Sequence, residues 1–182
     1  MEKKRVGIVA SRQDEQAMYV MKAVERAGGS PWLLETAAVP EARTLTYDRG
    51  ALLYEGERLD ALRCVYLRTI HTGVPSTDPE QFSRRNFDIW QEMYVAERER
   101  QSLIASVLEI LEEQGTRMIN PMASVRLHEL KLHQLARLKA RGIPVPESLA
   151  TSDPSALLAF VEQHPRVIYK PLGGGAMVQR LL

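Results

Sequence analysis

Apolar runs and helical periodicity alternate from the first residues of the chain. Val6-Gly7-Ile8-Val9-Ala10 is a continuous apolar stretch with β-branched residues, which predicts a strand buried on both faces. Between residues 14 and 27, Ala17, Val20, Met21 and Val24 recur at helical spacing, and Gly28-Gly29 supplies the stop. Pro31-Trp32-Leu33-Leu34 then predicts a second strand. Strand, helix and strand with short links predict a βαβ unit, and with it a parallel sheet with right-handed crossovers.

Further along, Ala51-Leu52-Leu53-Tyr54, Glu55-Gly56 and Glu57-Arg58-Leu59 predict a small hairpin turning at Glu-Gly. Residues 62–70 read as the next core strand, with Arg68 near its end, and the Gly- and Pro-bearing residues 71–83 as a loop. A long helix is expected over 87–114, its apolar face marked by Ile89, Met93, Ala96, Leu103, Val107, Ile110 and Leu111. The run Glu97-Arg98-Glu99-Arg100 then forms a solvated face. Met118-Ile119-Asn120-Pro121 predicts a short strand into a turn, and residues 125–141 one helix ended by Gly142. After the extended Pro144-Val145-Pro146, a strand is expected at 148–151. A helix follows at 153–164, opened by Asp153-Pro154, and a further strand at 166–171. The fold class is therefore α/β. A parallel-sheet domain over residues 1–120 is followed by an α+β segment over 121–182.

Composition narrows the class. Hydrophobic residues at 45% and charged residues at 26% are those of a folded globular chain. With 24 basic against 23 acidic residues the net charge is +1, so nothing points to nucleic acid. The single cysteine, Cys64, cannot pair within the chain, which favours a reducing cytoplasmic setting, and its surroundings suggest a small core residue. The basic start Met1-Glu2-Lys3-Lys4-Arg5 precedes an apolar run too short for a signal peptide, and no later run reaches membrane-spanning length.

The chemistry gathers in the last third. Lys131 lies in the expected helix 125–141, and Lys170 ends the apolar run Val167-Ile168-Tyr169, followed by Pro171 and Gly173-Gly174-Gly175. A polyphosphate needs point charges and a backbone that approaches closely, which lysine and glycine supply. Between the two lysines lies Gly142-Ile143-Pro144-Val145-Pro146. This order resembles the front half of the nucleotide-binding module of the ATP-grasp carboxylate–amine ligases. Residues before it are similar to that family's leading α/β domain, most of all in ribosomal-protein glutamate ligases and microviridin-type peptide ligases. The glycine hairpin, the strand ending in Leu67-Arg68, the Glu-rich helix and Ile119-Asn120-Pro121 carry that second likeness.

The resemblance implies that Lys131, Lys170, Gly173, Gly174 and Gly175 contact the phosphates of ATP. It also implies Mg²⁺, whose hard oxygen ligands come in this family from a C-terminal half beyond Leu182. These 182 residues alone are accordingly expected to be inactive, and either to self-associate through the strand at 166–171 or to be disordered after Gly173. Two departures stand out: Glu129-Leu130 precedes the first lysine where the family has aspartate, and Gly175-Ala176-Met177 lacks a further glycine. Arg68, at the carboxyl end of a strand, is the candidate contact to a peptide or small carboxylate substrate, with a surface salt bridge as its competing role. No Cys/His set has zinc-ligand spacing, and His71 and His128 have no evident partner. The rival to a ligase fragment is a non-catalytic module that binds a peptide or protein partner.

Overall fold

The computed structural model describes residues 4–70, 84–164, 166–170, 172 and 179–181. The loop expected at 71–83 and the glycines 173–175 lie outside them. The chain divides into two compact units, Met1–Met122 and Ala123–Leu182.

In the first unit, β1 (Arg5–Val9), α1 (Glu15–Arg26) and β2 (Ser30–Leu34) form the expected βαβ unit. Asp14 caps α1, its Oδ1 accepting from the amides of Gln16 (2.9 Å) and Ala17 (3.1 Å), which satisfies two donors left open by the helix start. The chain then passes through a 3-10 turn (Thr36–Ala38), β3 (Leu45–Asp48), β4 (Ala51–Tyr54) and β5 (Glu57–Arg58) before β6 (Leu62–Leu67). The long helix α2 (Arg84–Glu113) leads to β7 (Arg117–Ile119). The main sheet runs β2-β1-β6-β7, all parallel, so the order reverses at β1 and connections leave it in both directions. Central position explains the continuous apolar run of β1: Ile8 and Val9 are fully buried.

The hairpin has one more strand than the sequence pattern suggested. β3 pairs with β4 and β4 with β5, all antiparallel. Both links are two-residue turns, Arg49-Gly50 (φ 48° and 87°) and Glu55-Gly56 (φ 52° and 76°). Positive φ at both central residues is the turn whose twist matches paired strands.

The long helix buries only part of its apolar face. Ile104, Val107, Leu108 and Leu111 are buried, whereas Ile89 and Met93, expected on the same face, are 51% and 55% exposed. Length is the reason. A helix of 30 residues extends ~45 Å, whereas strands of five or six residues span ~20 Å, so the sheet covers little more than its C-terminal half. Phe87, Trp90 and Tyr94 instead stack along the N-terminal half, centroids 6.1 and 5.2 Å apart.

The second unit departs further from the sequence pattern. The single helix expected over 125–141 is two, α3 (Met122–Glu129) and α4 (Lys131–Lys139), broken at Leu130 (φ −106°, ψ 67°). The Gln134 side-chain amide donates to the carbonyls of Leu127 (2.7 Å) and His128 (2.9 Å), replacing the backbone bonds that a continuous helix would make. Residues 148–151 are exposed and carry no ladder, because no strand pairs with them among the described residues. α5 (Pro154–Gln163) begins as expected, with Asp153 accepting from the Ser155 amide and proline at its start. β8 (Val167–Tyr169) is shorter than the expected 166–171, and it pairs antiparallel with β9 (Gln179–Leu181), a partner the sequence reading did not foresee.

Candidate functional site

In an open parallel sheet the loops at the carboxyl ends of the strands part where the order reverses, and ligands collect there. In this chain that place lies between β1 and β6. The amides of Arg68 and Thr69 both donate to the Val9 carbonyl at 3.0 Å, which ends the β6 ladder at Leu67 and draws the two loops together. Asp14 reaches across from α1: its Oδ2 lies 3.1 Å from Arg68 Nε and accepts from Thr69 Oγ1 at 3.4 Å. Arg68 therefore makes the salt bridge weighed from sequence, but through Nε alone. Its Nη1 and Nη2 meet no partner among the described residues.

A second charge network flanks the end of β2. Glu35 accepts from the Arg12 amide (3.2 Å), Arg12 Nη2 (3.1 Å) and Arg43 Nη2 (3.3 Å), and its own amide donates to Tyr54 Oη (2.9 Å). Glu55 accepts from the Thr44 amide at 2.6 Å and from Arg43 Nη1 at 3.3 Å. These contacts hold three carboxyls below their ordinary range. For Asp14 the Ala17 amide leads, helped by Arg68; for Glu55 the Thr44 amide leads. For Glu35 burial is the largest influence and pushes upward, but the bonds from Arg12 and Arg43 outweigh it.

A depressed folded-state pKa means that the unfolded chain binds more protons as acid is added. The stability from these carboxylates is fully present above the unfolded carboxylate range and is lost as pH falls through their folded values. Chemical denaturation should give a midpoint that is flat above about pH 5 and falls steadily below about pH 4. A midpoint unchanged to about pH 2.5 would contradict these assignments.

Both candidate lysines lie in the second unit. Lys131 is not mid-helix as the pattern suggested: it is the first residue of α4, and Leu130 before it offers no side-chain cap. A cation at a helix N-terminus adds to the positive end of the macrodipole, and both favour an anion. Lys170 directly follows β8 and is exposed. The apolar run before it is not a core strand: Ile168 and Tyr169 are 58% and 52% exposed. Among the described residues β8 and β9 pair only with each other, and a two-stranded ribbon has no inner face of its own.

Other features lie apart from these groups. Cys64 is half-buried on β6. A cavity of about 450 Å³ runs along the outer edge of β7, lined by Glu112 and residues 116–121, and includes neither Arg68 nor either lysine. No group of three acidic, His or Cys side chains is placed to hold a metal among the described residues, so these residues do not themselves make a Mg²⁺ site. No helix among them is long and apolar enough to cross a membrane.

Sequence reasoning did not single out Asp14 beyond its helix, yet it joins three elements; an Asp immediately before a helical repeat was the available signal. Nor did it find Gln134, whose role is visible only once the helix is broken.

Solved structures identify the class. The ATP-grasp ligase PsnB, complexed with minimal precursor, Mg and ADP, matches with 33% identity over 97% of this chain and 57% of its own, TM-score 0.73. PsnB with a phosphomimetic variant of the minimal precursor, Mg and ADP gives 33% identity over the same shares and a TM-score of 0.78. The macrocyclase MdnC from Microcystis aeruginosa MRC, bound with precursor peptide MdnA, shares the fold: 21% identity, 95% and 56% coverage, TM-score 0.70. No protein-family profile and no curated protein matches. Over nearly its whole length the chain is similar to the N-terminal portion of ATP-grasp ligases. It spans a little over half the length of the PsnB structures it matches.

Proposed function

We propose that this chain is the leading domain and the first part of the nucleotide-binding domain of an ATP-dependent ligase that joins a carboxylate to an amine on a peptide. The observation that carries the reading is the 33% identity to PsnB across nearly the whole chain. Residues 1–120 form the leading domain in this reading, and 121–182 open the ATP-grasp domain. Lys131, at the uncapped start of α4, and Lys170, after β8, neutralise the phosphates of ATP from two elements, while Gly173, Gly174 and Gly175 offer amide donors. Arg68 receives the substrate carboxylate. Mg²⁺ supplies charge neutralisation between the phosphates when bound, on ligands from the rest of the ligase.

The likeness to ATP-grasp ligases implies the reaction. A carboxylate oxygen attacks the γ-phosphorus, the bond to the β-phosphate oxygen breaks, and ADP leaves. The amine then adds to the acyl carbon of the resulting acylphosphate, loses a proton and expels phosphate. Charge neutralisation and positioning supply most of the acceleration in such a transfer. In a ligase of full family length carrying this segment, a peptide with ¹⁸O in its acidic side-chain carboxylate should release phosphate bearing one ¹⁸O. Coupling that releases phosphate free of ¹⁸O, the displaced oxygen going to water or to the nucleotide, would refute the acylphosphate route. Peptide binding with no ADP formed would favour the non-catalytic module.

A further inference from the structure

We propose that one side of α4, marked by His133, Arg137 and Arg141, is a docking stripe for an acidic polypeptide segment in extended conformation. Neither the stripe nor its ligand depends on the ligase reading. Charge is unevenly spread along the chain. Between residues 123 and 141 five lysines and arginines stand against one acidic residue, whereas the rest of the sequence holds more acidic than basic residues. In the first unit, Arg5, Arg43, Arg68 and Arg100 each face a carboxylate. Arg137 and Arg141 are exposed and form no ion pair among the described residues.

Spacing of four residues puts the three side chains on one side of the helix. Arg141 lies just past the end of α4, but Ala140 keeps helical angles (φ −62°, ψ −17°), and Arg141 Nη1 donates to the Arg137 carbonyl at 3.3 Å, so the alignment holds. The carbonyl end of a helix favours cations, which accounts for Arg137 and Lys139 in the last turn. It does not account for a second guanidinium aligned with the first. Like charges at this spacing destabilise a helix, and among the described residues no carboxylate relieves them. An anionic ligand does. Positions four apart on a helix are ~6 Å apart along its axis, and alternate residues of an extended peptide ~6.7 Å. Glutamates or aspartates at alternate positions therefore meet His133, Arg137 and Arg141 in turn, the long arginine side chains absorbing the difference. Each guanidinium offers a carboxylate two parallel N–H donors, and His133 adds a ring donor.

Other polyanions fit less well. Residues 122–142 contain no Phe, Tyr or Trp on which nucleotide bases would stack. The exposed Leu132 and Leu138 lie on other sides of α4, so a lipid surface meeting the stripe gains no apolar burial.

The test is fluorescence anisotropy on the 182-residue chain, without ATP, using a short fluorescein-labelled peptide of alternating glutamate and threonine. Binding should saturate and should weaken as salt rises. The counterpart with glutamine for glutamate should not bind, and a peptide of the same composition with its glutamates in one block should bind more weakly. Arg137→Gln and Arg141→Gln should each weaken binding by about fivefold or more. Lys139→Gln removes the same charge from a different side of α4 and should change it by less than about twofold. In the unaltered chain the peptide should shift the backbone amides of residues 133–141 and leave those of α1 in place, a reading independent of how the variants fold. Undiminished binding by either arginine variant, an equal loss with Lys139→Gln, equal binding of the blocked peptide, or shifts in α1 as large as those in α4 would overturn the proposal. So would tighter binding of an oligothymidylate of equal charge, or of vesicles of equimolar phosphatidylserine and phosphatidylcholine. Because no nucleotide is present, such a result would leave the isotope-transfer test of the ligase reading untouched.

Discussion

Replacing Lys170 by alanine in a ligase of full family length that carries this segment should lower ATP turnover by about a hundredfold or more. Lys170 stands directly after β8 and shortly before the glycines proposed to contact phosphate. As negative charge shifts between the phosphates during transfer, a fixed ammonium gains interaction energy that the ground state lacks, and only such a gain raises the rate. A hundredfold loss corresponds to about 2.7 kcal/mol of transition-state stabilisation, within the usual contribution of one well-placed donor. Lys139→Ala is the matched control. It lies on α4 as Lys131 does, but in the last turn, where a cation complements the carbonyl end of the helix rather than facing a ligand. Turnover in that variant should stay within about twofold of the parent, since one exposed charge near a helix end contributes under ~1 kcal/mol. If Lys170→Ala keeps full turnover, its assignment to the phosphates is wrong.

Leu111→Ala should destabilise the chain by about 2–5 kcal/mol, the range for truncating a fully buried leucine. Leu111 is 0% exposed on α2, among Ile104, Val107 and Leu108, and its removal leaves a cavity that the sheet cannot readily collapse into. Ile89→Ala on the same helix should cost less than about 1 kcal/mol, because Ile89 is 51% exposed and the sheet does not reach it. Denaturant titrations of the two variants check this. Equal losses would mean that the N-terminal half of α2 is packed as tightly as its C-terminal half.

The contrast along α2 shows what the sequence pattern carried and what it did not. Periodicity is local, so β1, α1, β2 and the existence of α2 were legible from residue types alone. How much of α2 the sheet covers is a matter of relative length, and no periodicity reports it. The same limit hid β3, whose pairing with β4 depends on Arg49-Gly50 taking up two positive φ angles, and β9, whose ladder partners lie ten to fourteen residues away. Residues 148–151 show the converse. β-competent composition makes a strand only when a neighbour completes its hydrogen bonds, and none of the described residues does so.

At the candidate site, residue types were easier to read than their placement. Lys131 was legible as a lysine on a helix, but its position at a helix start depends on Gln134 reaching back to Leu127 and His128. Arg68 was legible at a strand end. Its restraint by Asp14 joins residues 14 and 68, which only the parallel pairing of β1 with β6 brings together.

The central claim is that Lys131 and Lys170 grip one polyphosphate. The most direct measurement is an ATP titration of the chain followed at the side-chain signals of its individual lysines. Lys131 and Lys170 should move together on a single binding curve, with a dissociation constant on the order of millimolar. That curve should weaken as salt rises, while Lys139 stays still. Separate curves for the two lysines, or a response from Lys139 as large as theirs, would contradict the account.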